Sequence, residues 1–190
     1  MKREILGVLI AFFAFTMNSS SAIAQKKART GQRMEICSAD ENKNVFSIFT
    51  YLDEDGTEGF YLSLGRESQP LKDIFDSGTL LGDMTNIRET CIWLGDDYDG
   101  TLEALEDLLD DIDDDIDSVK EYKGRELIGS GEKLGEPTTS IGTVKKRTLG
   151  GKRLVFAFTS GNKTVESSLT KSVVKELRAE LKIYRKLHKK

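Results

Sequence analysis

The sequence predicts an α+β fold: a mainly antiparallel sheet of about six to seven strands with two long amphipathic helices, one acidic and one basic. Three observations carry this. Short segments rich in valine, isoleucine, phenylalanine and tyrosine alternate with turns of glycine, aspartate and asparagine, which is the pattern of hairpins. Two longer stretches place leucine, isoleucine and valine at steps of three and four, which is the pattern of helices with one buried side. The chain runs strands, helix, strands, helix, so sheet and helices are segregated rather than alternating as single β-α units.

Taken in order, Met1–Ala24 opens with Lys2 and Arg3, continues as an eleven-residue apolar run from Ile5 to Phe15, and ends Ala22-Ile23-Ala24 before Gln25. This is the pattern of a secretory signal cut between Ala24 and Gln25. A membrane anchor would need roughly 20 apolar residues. The expected product is therefore soluble and periplasmic or extracellular, with no membrane attachment after cleavage. Residues 25–33 are basic and aperiodic, a flexible leader. Residues 34–190 are expected as one α+β domain, with two lobes, 34–123 and 124–190, as its finest subdivision.

Met34–Ala39 reads as a strand. Asn44–Leu52, the acidic turn Asp53-Glu54-Asp55-Gly56 and Thr57–Gly65 read as a hairpin, and Arg66–Ile87 as a connecting excursion. Thr90–Leu94, with the sole tryptophan Trp93, reads as a strand covered on both faces. The first helix is expected over Thr101–Tyr122, where Leu102, Leu105, Leu109, Ile112, Ile116, Val119 and Tyr122 form one stripe. After weak strand character to about Ser140, Thr143–Thr148 and Arg153–Ser160 form a second hairpin. A final helix runs from about Glu166 to Leu187, with Leu169, Val173, Leu177, Leu181 and Tyr184 on one side.

Composition narrows the function classes. With 28 basic and 32 acidic side chains the net charge is −4, which argues against a nucleic-acid binder that works by neutralising phosphates. The two cysteines, Cys37 and Cys91, are expected to form a disulfide in an oxidising compartment. Such a bridge would stabilise by about 4 kcal/mol; the alternative is two buried, inert thiols. His188, the only histidine, lies in the basic tail and is a poor general base. The glycines of Gly129-Ser130-Gly131 and Gly150-Gly151 lack the strand-to-helix setting of a phosphate loop. Trp93, Phe46, Phe49, Phe60, Phe156 and Phe158 sit in strand patterns and read as core.

Two acidic features are candidate sites. Asp97, Asp99, Glu103 and Glu106 resemble a fragment of a calcium loop, although a strand replaces the entering helix and Gly95 stands at the first ligand position. The run Asp107–Asp117 places carboxylates at steps of three and four, so the helix carries internal repulsion that something must offset. Thirteen carboxylates lie between Asp96 and Glu121. They exceed what Lys171, Lys175, Arg178, Lys182 and Arg185 of one basic helix can screen. The face is therefore expected to stand unpaired within the chain, with Asp111, Asp114 and Asp115 as a surface for a protein or surface-polymer partner. The leading expectation is an exported, soluble binding or interaction protein without catalytic activity or cofactor. The alternatives are a calcium-dependent adhesion or sensor module and an enzyme with an unrecognised active site.

Overall fold

The residues that alternate in the sequence sort onto the two faces of one antiparallel sheet. The computed structural model describes residues 31–41, 44–52, 56, 58–64, 88–128, 133–148, 150–160 and 163–188. Its strands are β1 (Arg33–Glu41), β2 (Asn44–Leu52), β3 (Glu58–Ser63), β4 (Arg88–Gly95), β5 (Val119–Ile128), β6 (Lys133–Leu134), β7 (Thr138–Lys146), β8 (Lys152–Ser160) and β9 (Lys163–Thr170). Helix α1 (Tyr98–Asp113) follows β4, and α2 (Lys171–His188) follows β9. The strand order is β1-β2-β3-β4-β5-β7-β8-β9, with β6 paired to β5. The expected signal segment with its cut between Ala24 and Gln25, most of the leader, the acidic turn from Asp53, the excursion Arg66–Ile87 and the Gly129 loop lie outside the described residues.

One face carries the helices. Phe46 and Ile48 of β2, Phe60 and Leu62 of β3, Ile92 of β4, and Leu154 and Phe156 of β8 pack with Leu105, Leu108 and Ile112 of α1 and with Val173, Val174, Leu177 and Leu181 of α2. Each such side chain, fully buried, contributes about 1.5–3 kcal/mol of transfer free energy. The opposite face has a smaller cluster of Phe49, Tyr51, Tyr61, Cys91, Leu127 and Leu134, with Trp93 at its margin. On that face Arg33 and Glu89 form an ion pair at 3.2 Å, with side chains only 11% and 5% exposed. Arg33 also donates to Ser47 and lies 4.5 Å over the Phe49 ring, while Ser63 donates to Glu89. The serines on β2 and β3 are small enough to let the two long charged side chains meet above the sheet.

The sheet curls until its ends meet. Thr170 at the end of β9 donates to Glu41 at the end of β1 (2.5 Å), and the Ser167 hydroxyl donates to the Leu64 carbonyl just past β3. Helix α2 fills the concavity, packing against β1, β2 and β9.

Three sequence expectations are corrected. The acidic helix ends at Asp113 rather than Tyr122. Its aspartates face the negative end of the helix dipole there, with no basic residue in the last turn. Asp114 turns extended and Asp117 takes a left-handed conformation at φ 69, which aspartate tolerates better than most residues. Val119 and Tyr122 then belong to β5. The second helix begins at Lys171 rather than Glu166, because Glu166–Thr170 pair with β8 as a strand. The sheet has nine strands, more than the six to seven expected, since Val119–Lys146 is built of three rather than one or two and β9 adds another where the second helix was expected to begin.

Candidate binding site

The acidic helix is held from two sides. Asp99, Glu106 and Asp113 pair with Arg185, Arg178 and Lys171 of α2, the first at 2.5 Å. From the sheet, Lys120 pairs with Asp111 at 2.9 Å and with Asp114, and Lys145 pairs with Asp117 at 2.5 Å. The Lys152 ammonium donates to the carbonyls of Asp113 (2.7 Å) and Asp114 (2.6 Å), satisfying acceptors that a helix end leaves open. The Tyr122 hydroxyl donates to Asp111 at 2.7 Å. Burial, and then the Asp111 bond, raise the Tyr122 pKa far above its ordinary value; bonds to Asp114 and Asp111 raise that of Lys120.

The expectation of an unpaired face is thereby overturned for most of the helix. Of the proposed partner residues, Asp111 and Asp114 are engaged, and Asp115 is exposed without an ion-pair partner among the described residues. The strands supply cations that a count of the basic helix alone omits. A residual stripe of Glu103, Asp107 and Asp110 has no partner among the described residues.

The calcium candidates are not brought together as a ligand set. Asp97 caps α1, accepting the Gly100 N–H at 2.8 Å, while Asp99 and Glu106 face different arginines. Among the described residues no group of three His, Cys, Asp or Glu side chains could hold a metal ion. His188 stacks on Tyr184 with ring centroids 4.0 Å apart, and its Nδ1 lies 2.9 Å from the Tyr184 carbonyl.

The expected disulfide is also corrected: Cys37 and Cys91 are both free thiols. Cys37 on β1 pairs with Ile48 and packs on the helix-bearing face, whereas Cys91 pairs with Ser63 and belongs to the opposite cluster. Strands β2 and β3 lie between them, so about 14 Å of sheet separates the two positions, against at most about 7 Å between the Cα atoms of a bridge. Burial, together with Glu180 for Cys37 and Glu89 for Cys91, pushes both thiols up to about 12.

What remains open is a groove on the face away from the helices. It is lined by Gly59, Tyr61, Trp93, Asp96, Lys123, Gly124, Arg125, Pro137 and Thr138, with a volume of about 270 Å³. Trp93 is half-buried, and the Lys123 ammonium stands 4.7 Å from the centre of its ring. Tyr61 stacks on Phe49 at 5.6 Å, which fixes one wall. A Cβ at Gly59 would come to 3.0 Å from the Tyr61 ring, so a larger residue there would press on this wall. Lys123 and Arg125 alternate along β5 and project on the same face, with Gly124 between them. The groove thus offers an aromatic floor, two cations and the carboxylate of Asp96. No family model, curated protein or solved structure matches the chain.

Sequence reasoning placed Trp93 in the core and passed over Lys123 and Arg125. The available signal was the alternation Lys123-Gly124-Arg125 within a strand pattern, which puts both cations on one face, but it does not identify the neighbouring strand.

Proposed function

We propose that the protein is an exported binding protein without catalytic activity, and that the Trp93 groove holds an acidic unit of a surface polymer, a sugar ring bearing a carboxylate. The observation that carries this reading is the Lys123 ammonium over the half-buried Trp93 ring, beside Arg125. A sugar ring laid with its flat C–H face on the indole displaces the Lys123 ammonium from above the ring onto its own carboxylate, which Arg125 also meets through charge-assisted bonds, while Asp96 accepts from hydroxyl groups. The groove is slightly smaller than a typical pocket for a drug-sized ligand, which suits one unit of a chain. The usual nucleophiles are in inert settings: both thiols are held protonated at neutral pH, and the only histidine stacks at the surface end of α2. Export rests on the signal pattern, and a mature chain beginning at Gln25 is its consequence.

Trp93 is the only tryptophan, so tryptophan emission, excited apart from the five tyrosines, reports on this groove alone. Titration with oligogalacturonate should give a saturable change in emission, and neutral dextran oligomers should give none. Replacing Lys123 and Arg125 together with glutamine should weaken binding at least about tenfold, the equivalent of losing one charge-assisted contact. Equal responses to acidic and neutral oligomers, or no response to either, would refute the reading.

A further inference from the structure

The curl of the sheet creates a second concavity, independent of the Trp93 groove. Where the ends of β1 and β9 meet beside the β7–β8 turn there is a cleft of about 360 Å³, lined by Glu41, Asn44, Arg147, Thr148, Arg153, Ser168 and Thr170. We propose that this cleft binds a tetrahedral oxyanion, a phosphate or sulfate group.

Its one carboxylate is already committed. Glu41 accepts from Arg147 Nη2 at 3.2 Å through Oε1 and from the Thr170 hydroxyl at 2.5 Å through Oε2. Glu41 is therefore a positioning residue: it holds Arg147 at the cleft by one nitrogen and leaves the rest of the guanidinium fork to a ligand. Arg153 contributes the second cation. Its Nε is shut off from solvent and has no hydrogen-bond partner, a state that native proteins seldom leave uncompensated. The same side chain lines the cleft, where an anion meets the terminal nitrogens of its guanidinium. The remaining lining is of hydrogen-bonding groups, with the hydroxyls of Thr148 and Ser168 and the amide of Asn44. Two planar guanidinium forks, with hydroxyl and amide donors around them, match an ion whose oxygens point in four directions better than a flat carboxylate. The net charge of the lining, two arginines against one glutamate, favours an anion.

The test is calorimetry on the whole protein with inorganic phosphate, and in a second arm with glycerol 3-phosphate, at constant ionic strength set with chloride. One-site saturable heat is expected, and Arg153→Gln should weaken it at least tenfold. Arg147→Gln, whose guanidinium is more exposed, serves as a second variant with folding checked by circular dichroism. Tighter binding of the ester assigns the site to a phosphate carried on a larger molecule, and equal or weaker binding to the free ion; either supports the proposal. Absence of saturable heat with both ligands overturns it, as does binding that survives both arginine substitutions or that chloride displaces equally well. Trp93 emission is read in the same cell and should not change, which keeps this result separate from any at the groove.

Discussion

Replacing Asp107 and Asp110 with asparagine should stabilise the protein at low salt. Asp107 lies three or four residues from Glu103, Asp110 and Asp111, and each like-charge pair at that spacing destabilises a helix by about 0.2–0.5 kcal/mol. Asp110 also sits in the last turn of α1, where a negative charge opposes the dipole at a cost of about 0.3–1 kcal/mol. Neither residue has a cation beside it among the described residues, so little is lost by neutralising them. The sum is about 1–2 kcal/mol, or about 3–6 °C in Tm for a chain of this size. At 1 M salt, where the screening length is about 3 Å, the gain should vanish. Glu106→Gln acts in the opposite sense. It removes the partner of Arg178, whose side chain is 30% exposed, and should cost up to about 1 kcal/mol at low salt. Thermal melts by circular dichroism at 10 mM and 1 M sodium chloride measure both. A lowered Tm for the double variant at 10 mM would mean that the stripe is engaged after all, and a gain that persisted at 1 M would show that its origin is not electrostatic.

Two further outcomes follow from buried groups. Native Cys37 and Cys91 should alkylate slowly at pH 8, and non-reducing peptide mapping should find them unlinked; rapid labelling or a Cys37–Cys91 peptide would contradict the free-thiol assignment. Because both thiols rise in the folded state from an ordinary value near 9 to about 12, their contribution to stability is complete below pH 9. It is lost as pH rises from about 9 toward 12, and a urea midpoint series across that range reads the loss. Glu89→Ala strands Arg33 in a site where its side chain is 11% exposed, and should cost about 3 kcal/mol in urea unfolding; a loss below about 1 kcal/mol would show that the pair contributes little.

The sequence was legible where one physical pattern acts alone. Asn44–Leu52 reads as a strand because its apolar residues serve two faces, Phe46 and Ile48 packing toward the helices and Phe49 and Tyr51 in the second cluster, and its bounds coincide with those expected. The end of the acidic helix was not legible, because Val119 and Tyr122 continue a three-and-four spacing while also starting an alternating strand. Only the left-handed Asp117 breaks the tie, and nothing in composition marks it. The cysteines depended on side-chain parity across several strands. A bulge between Glu35 and Cys37 shifts the register of β1, and no count along the chain reveals which face Cys37 takes. Trp93 lay in a continuous apolar run that implies cover on both sides, yet the groove leaves it half-buried. The pairing of the acidic helix was hidden for a related reason: Lys145 and Lys152 are far from it in sequence, and Lys120, which falls within the span expected as helix, reaches Asp111 and Asp114 from β5.

The meeting of the sheet's two ends orders events in time. Ile36 and Cys37 of the first strand share a core with helix α2, the last element described, so the apolar side of the earliest strand has no complete cover until the final helix has been synthesised. A nascent chain emerging from its N-terminus can form local hairpins such as β2–β3 early, but it cannot close the layer that stabilises them. Contacts this distant along the chain slow folding and prolong the exposure of apolar surface. During synthesis the polypeptide is therefore an open substrate for chaperones, and it becomes cooperative only when Val173, Val174, Leu177 and Leu181 of α2 have arrived.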